Sequence, residues 1–348
     1  MVNVGDAPNE NVRAFEAIAK TRSQETYRGA VVGCGRMGST IDDEVMSGPH
    51  YPWPWAHAPA MIEADGVELV AGVDLDEAKL ADFGSRWGVK ALYTDVREMV
   101  AQEKPDIVSV TTRLDERPDV VAALAEGGAK VIFPTKPLSR TLAQADEMIE
   151  VCRRNNAVLA VSCHLNWYAV YTNAREIIDR GDIGQLRSMI CNSSHKGGAG
   201  ISRLHSHTFA LFRLFAGAPV KWVFGYMDDG QPIDLDEDLV GSGYAVYEND
   251  VRAFLNSRSM EGWDLEFICE RGRVVSRNTH AWNELWGKDP ETGYPVQRQF
   301  PNPWRPRSSM VDAFQQLARC IETGEEPLCP GEYGREALEI AIGMRESH

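Results

Sequence analysis

The residues whose types and spacing most plainly suit chemistry lie near the start of the chain. Gly33-Cys34-Gly35-Arg36-Met37-Gly38 follows the apolar run Tyr27-Arg28-Gly29-Ala30-Val31-Val32. A strand that runs into G-x-G-x-x-G is a dinucleotide cradle. Gly33 makes the tight turn, Gly35 lets the backbone approach a pyrophosphate, and Gly38 permits close packing of helix on strand. The amides at the helix start, with Arg36 and Met37 among them, then face the phosphates. The next strand-like run, VELVAGVD, ends in Asp74. A carboxylate there accepts hydrogen bonds from the ribose hydroxyls of NAD and repels the 2′-phosphate of NADP. No basic residue occurs among Leu75, Asp76, Glu77 and Ala78, so the expected cofactor is NAD rather than NADP.

Other reactive side chains point away from metal chemistry. The seven cysteines (34, 152, 163, 191, 269, 320 and 329) include no C-x-x-C pair, which suggests reduced, buried thiols and neither a disulfide framework nor a zinc cluster. His195, Lys196, Arg203, His205 and His207 crowd a short stretch. On a helix, His205 and His207 lie about 200° apart and cannot face one metal, whereas Arg203 and His207, four apart, share a face. Arg203 either reaches a cleft beside His207 or points to solvent or an acidic neighbour.

The elements that must position these residues change character along the chain. Residues 1–26 form a polar extension, read as a frayed terminus or an arm onto another subunit. From Tyr27 to about Ser162, strand-like runs (YRGAVVG, VELVAGVD, KALYTD, DIVSVTT, KVIFPTK, AVLAVSC) alternate with helical ones (AHAPAMIEA, DEAKLADFGSRW, VREMVAQE, RPDVVAALAEG, TLAQADEMIEVCRRN). That alternation predicts an α/β Rossmann domain over residues 27–162, with a parallel sheet covered on both faces. Asp74 lies further from the glycines than the usual interval of about 20 residues. The excess is Thr40 to Trp55, whose Tyr-Pro and two Trp-Pro dipeptides cannot continue a helix. It reads as a lid over the cofactor cleft, a subunit contact or a surface elaboration. Residues 163–348 open with helices and a Gly-rich loop. Strand candidates at short spacing follow (VKWVFGYM, GYAVYEN, VRAFLNSR, WDLEFICE, GRVVSRN). They predict an α+β domain with an open, mostly antiparallel sheet, whose final helices have the option of packing back on the first domain.

With the glycine fingerprint, Thr135-Lys136-Pro137 after the fifth strand, IIDRGDIGQLRS and SHTFALFRLFAG, the chain resembles the glucose-fructose oxidoreductase and inositol dehydrogenase (Gfo/Idh/MocA) family over about residues 27–345. The resemblance implies that Lys136 and His207 serve the active site, Lys136 also meeting the cofactor, and that Thr112 lies near the nicotinamide. It further implies substrate contacts from His164, Asn166, Arg203 and His207, and a homo-oligomer, dimer or tetramer, paired through the open sheet. The chain departs from the family pattern in three places. Thr135 stands for the glutamate of Glu-Lys-Pro, Arg203 for an aspartate four residues before the histidine, and His164-Leu165-Asn166-Trp167 for an Asn-Arg-Arg or Asn-Arg-Phe stretch.

Taking a hydride from a secondary alcohol requires a base for the hydroxyl proton. Lys136 serves if burial and a nicotinamide charge lower its pKa, and His207 needs less tuning because an imidazole titrates near about 6.5. The expected activity is oxidation of a ring hydroxyl of a sugar or cyclitol, with an anionic group on the substrate if Arg203 faces the cleft. Two alternatives stay open: a glycosidase that oxidises, eliminates, hydrates and re-reduces on held NAD, and a non-catalytic NAD-binding regulator.

Composition restricts the partners. At 348 residues and 43% hydrophobic the chain can bury two cores, while a net charge of −15 repels a phosphate backbone. With no run of eighteen apolar residues and no apolar segment in the first thirty, the expectation is a cytoplasmic enzyme of small carbohydrates, with no membrane and no nucleic acid as partner.

Overall fold

The computed structural model describes residues 25–48, 51–193, 200–228, 239–259, 262–301 and 307–348. His195, Lys196 and nearly all of the N-terminal extension lie outside the described residues.

The first sheet is parallel throughout, ordered β3-β2-β1-β4-β5-β6. Its strands are β1 (Tyr27–Val32), β2 (Val67–Val73), β3 (Ala91–Tyr93), β4 (Ile107–Val110), β5 (Val131–Pro134) and β6 (Val158–Leu159). Both faces are covered, so β4 and β5 are buried at every position. The covering helices are α1 (His57–Glu63), α2 (Glu77–Trp87), α3 (Val96–Glu103), α4 (Arg117–Glu126) and α5 (Leu142–Arg154). They start where short polar side chains cap them: Asp76 accepts from the amides of Ala78 and Lys79, Asp95 from Arg97 and Glu98, Thr141 from Gln144. Strand order reverses between β1 and β4, which opens a crevice at their carboxyl ends.

The helix expected after the glycine loop differs from the sequence reading. Arg36–Thr40 is a single wide π-type turn, followed by a 3-10 turn at Ile41–Asp43. The regular helix begins only at His57. The Asp42 carboxylate accepts from the amides of Trp55 and Ala56 at 2.8 and 3.2 Å, which closes residues 42–56 into an excursion and prevents a continuous α-helix.

The second sheet has eight strands, ordered β14-β13-β12-β11-β7-β10-β9-β8. These are β7 (Leu186–Ser193), β8 (Val220–Met227), β9 (Gly241–Tyr247), β10 (Arg252–Asn256), β11 (Trp263–Cys269), β12 (Gly272–Arg277), β13 (Trp282–Lys288) and β14 (Pro295–Arg298). Only the central pair β7 and β10 runs parallel. Sequence reading misses β13 and β14; β14 is exposed at all four positions and so carries no alternating pattern. One face is covered by α6 (Ala169–Asp179), α7 (Ile201–Ala216) and α9 (Gly331–Glu346), whose residues join the sheet in one core. Gly225 and Gly243 let α9 approach: a Cβ on either would sit 2.3 to 2.4 Å from Met344. The helix α8 (Ser309–Thr323) belongs to the other core, where Met310, Phe314 and Leu317 join Phe133 of β5.

Candidate active site

The crevice carries the glycine loop. Gly33 has φ 95°, its amide donates to the Val73 carbonyl at 2.7 Å, and its own carbonyl accepts from the Thr111 hydroxyl at 2.5 Å. A Cβ on Gly33 would meet Thr111 Oγ1 at 2.7 Å, and one on Gly38 would fall 2.0 Å from the Gly33 carbonyl oxygen. The chain itself therefore requires the first and third glycines. A Cβ on Gly35 would meet only Lys79 Cδ at 3.8 Å, so the space above it is open. A loop held from below and open above fits a pyrophosphate. Asp74 stands behind this loop, accepting from the Cys34 amide at 2.8 Å and the Asp76 amide at 2.9 Å. Arg36 is turned outward onto Glu44 at 2.6 Å.

Across the crevice, the ends of β4 and β5 are tied together by Arg117, which is almost fully buried. One guanidinium nitrogen donates to the Thr135 carbonyl at 2.6 Å and to the carbonyls of Pro137 and Leu138; another donates to the Thr112 carbonyl and the Thr135 hydroxyl, both at 2.8 Å. Thr135, at the motif's glutamate position, thus serves Arg117 with neutral acceptors. Burial lowers the Arg117 pKa to about 10, which leaves it charged at neutral pH. The Thr112 hydroxyl is buried without a hydrogen-bond partner.

The clamp presents Lys136, whose ammonium donates to the Arg203 carbonyl in the first turn of α7 at 2.6 Å. A cleft of about 440 Å³ opens here, lined by Thr112, Arg113, Asp115, Lys136, Arg140 and Arg203 among others. Arg140 is paired with Asp115 at 2.5 Å. The Arg113 charge also acts on Asp115.

Behind Lys136 lies a histidine pair. His207 on α7 meets His164 edge-on, with ring centroids 4.3 Å apart. His207 is buried and its Nδ1 has no hydrogen-bond partner. Burial, His164 and the Lys136 charge push its pKa well below the ordinary imidazole value. Burial and Lys136 lower His164 to about 3. Both rings are thereby held in the neutral form at pH 7, and His207 presents an unengaged Nδ1, as lone pair or N–H, rather than a cation. His205, on the opposite side of α7, contacts Ser193 and Thr208 instead.

Lys136, His207, His164 and Arg203 are therefore gathered in one place, next to Thr112 and the glycine loop. Asn166 is not turned to the cleft: it is fully buried, and its amide donates to the carbonyls of Leu328 and Ala210 at 2.8 and 3.4 Å. Sequence reasoning missed Arg117 and Thr111, which act through backbone oxygens and leave no motif. It also missed Lys79, one residue beyond the window searched for basic groups. Tyr51 escaped notice too, although its insertion was seen, because nothing in the sequence says where an irregular segment packs.

Residues 27–163 match the family model described as oxidoreductase family, NAD-binding Rossmann fold. Among curated proteins, the chain is similar to a myo-inositol 2-dehydrogenase of Thermotoga maritima, 24% identical over 91% of this chain and 95% of that one. Two solved structures share the fold. An oxidoreductase from Agrobacterium radiobacter in complex with NAD+, L-tartaric acid and magnesium has TM-score 0.74 and 16% identity, covering 92% of this chain and 96% of that one. A scyllo-inositol dehydrogenase from Lactobacillus casei with bound NAD(H) and scyllo-inositol has TM-score 0.70 and 17% identity, covering 93% and 97%.

Proposed function

We propose, from the match of residues 27–163 to the Gfo/Idh/MocA oxidoreductase family model and the site described above, that the chain is an NAD-dependent dehydrogenase acting on a ring hydroxyl of a sugar or cyclitol that carries an anionic group. The observation that carries this reading is Lys136 in the lining of the cleft, with the His164–His207 pair packed behind it, beside an open glycine loop. NAD, when bound, supplies the hydride acceptor. Gly33, Gly35, Met37 and Gly38 would hold its pyrophosphate through the backbone, Asp74 its ribose, and Thr112 and Lys136 its nicotinamide end. Arg36, paired outward with Glu44, contributes its backbone.

The chain's own groups then handle the proton. Lys136 holds positive charge where an alkoxide develops, and neutral His207, in the tautomer that leaves its unengaged Nδ1 unprotonated, accepts the hydroxyl proton. Arg113, Lys136 and Arg203 make the cleft cationic in a chain of net charge −15, which favours an anionic substrate. The L-tartaric acid in the Agrobacterium neighbour supports that choice, and the inositol dehydrogenases support a polyol ring.

Trp222, Phe224, Tyr226 and Phe254 are exposed on the free face of the second sheet, which supports a homo-oligomer joined there. All seven cysteines are unpaired and buried, which supports the reducing cytoplasm. No helix among the described residues is long and apolar enough to cross a membrane.

The test is a panel of neutral and anionic sugars, cyclitols and glycosides, followed by both NADH absorbance and aglycone release. NADH formation with an anionic polyol is expected, and Lys136→Met should lower it by about a hundredfold or more while leaving NAD affinity in place. Aglycone release without net NADH would replace this reading with redox-neutral hydrolysis. Near wild-type turnover in Lys136→Met would remove the lysine from the chemistry.

A further inference from the structure

The excursion over residues 40–55 belongs to the first domain by sequence but ends in the histidine cluster of the second. Its described residues are anchored at several points. Tyr51 pairs with Gly48 through both backbone groups, at 3.0 and 3.2 Å, and the Trp53 amide donates to Ser47 Oγ at 3.2 Å. The Ser308 hydroxyl donates to the Pro54 carbonyl at 2.5 Å, and Asp42 holds the amides of Trp55 and Ala56. The Tyr51 ring is fixed by its neighbours: Trp55 at 4.1 Å between centroids, Tyr168 at 5.6 Å, and His280 at 6.0 Å with planes within 8° of parallel. His280 is itself held by the Tyr171 hydroxyl at 2.7 Å. With its ring so placed, the Tyr51 hydroxyl lies 3.1 Å from His164 Nε2.

We propose that Tyr51 is a positioning residue of the active site: its phenol donates to His164 Nε2 and fixes that ring as the neutral Nδ1–H tautomer set edge-on against His207. The argument is one of hydrogen-bond accounting. A phenol proton away from bulk water needs an acceptor, and among the described residues the structure gives this one no other than Nε2. Burial raises the Tyr51 pKa, so the phenol keeps its proton. The groups that face His164 are Tyr51, Trp55, His207 and the Lys136 charge, with His57 beyond. None of them is a carboxylate that would favour a second proton on the ring. A neutral imidazole that accepts at Nε2 carries its proton at Nδ1. The excursion then carries one hydroxyl from the first domain to the proton-handling pair of the second. This inference rests on the proposed roles of Lys136 and His207, but its test does not depend on them.

The test uses the full chain with nitrogen-15-labelled histidine, saturated with NAD, and long-range proton–nitrogen correlation spectra assigned with His164→Gln. Wild-type His164 is expected as the Nδ1–H tautomer, unprotonated from about pH 5.5 to about 8.5, the span in which an ordinary histidine titrates. Tyr51→Phe keeps the ring stack and removes the donor. It should shift His164 toward Nε2–H or a mixture, raise its pKa, and lower kcat about tenfold with KM for NAD unmoved, the effect of one lost hydrogen bond. An Nε2–H tautomer in the wild type overturns the proposal even if the variant does not fold. So does a Tyr51→Phe protein whose His164 resonances match the wild type. Absence of turnover with every polyol would count against the proposed function alone, because the tautomer is read without substrate.

Discussion

Arg117 donates to Thr135 twice, to its carbonyl at 2.6 Å and to its hydroxyl at 2.8 Å, and so anchors the residue that precedes Lys136. The same guanidinium reaches the Thr112 carbonyl, which couples the β4 and β5 ends of the crevice through one side chain. A lysine cannot span that fork. Arg117→Lys is therefore expected to lower stability by about 2 kcal/mol or more, since it strands several buried carbonyls, and to lower turnover by letting Lys136 wander. Urea unfolding together with steady-state kinetics measures both. An Arg117→Lys protein with unchanged midpoint and kcat would show that the loops hold themselves.

In the proposed reading cofactor preference depends on Asp74, and the structure adds a complication. Its two oxygens already accept from the amides of Cys34 and Asp76, so the carboxylate shapes the loop in addition to the ribose contact proposed for it. Asp74→Ser should weaken NAD and narrow its advantage over NADP by relieving the repulsion of the 2′-phosphate. Lys79, which pairs with Asp76 at 3.3 Å and lies over Gly35, supplies a cation that helps NADP once Asp74 is gone. Adding Lys79→Ala to Asp74→Ser should cancel part of the NADP gain. Titration calorimetry of both cofactors decides the matter, and tighter NADP binding by the wild type would reverse the assignment.

How far the sequence carried varies with the kind of physics involved. The strand-helix alternation of the first domain was readable because each element buries a periodic face, and the glycine loop because Gly33 and Gly38 are required by contacts of the chain with itself. Lys136 and His207 came from the resemblance, and the fold brings them to one place. What stayed hidden shares a cause. Arg117 and Thr111 bind backbone oxygens, which any sequence supplies, and Tyr51 reaches His164 only through the path of an irregular segment. Edge strands such as β14, exposed on both sides, lack the alternation by which strands are recognised. The neutral state of His207 follows from burial beside Lys136, which no local pattern encodes.

Acid sensitivity follows from the buried imidazoles. Burial lowers His57 and His164 to about 3 and His207 well below its ordinary value, whereas the unfolded chain binds those protons near the usual 6.5. Below that pH the unfolded state takes up more protons, so stability is complete above about 6.5 and is lost as pH falls toward 3, by up to about 1.4 kcal/mol per pH unit for each histidine. Glu336 acts oppositely. Burial raises it to about 7, and its contribution, present at low pH, fades as pH rises through that value, which offsets roughly one histidine. The urea midpoint should therefore fall from about pH 6.5 to about 5, and His57→Asn should make the fall shallower. A midpoint unchanged by acid would mean that the imidazoles are protonated in the folded chain.

The charge of the substrate gives the last prediction. Arg203 is exposed in the first turn of α7 and lines the cleft, while its carbonyl anchors the Lys136 ammonium, so its guanidinium and Lys136 present positive charge to one space. Arg140 is spent on Asp115, while Arg113 and Arg203 also line the cleft. A guanidinium fork binds a carboxylate, sulfonate or phosphate through two parallel hydrogen bonds. The Arg203→Ala protein should keep its NAD affinity and its Lys136 contact, because that contact uses the backbone. Its KM for anionic sugars should rise by about tenfold or more, the scale of a partly exposed charge-assisted pair, with neutral sugars little affected. The ratio of kcat/KM for a uronate to that for its neutral parent sugar, compared between wild type and variant, isolates the effect. Equal wild-type efficiency on the two sugars would make Arg203 a structural residue.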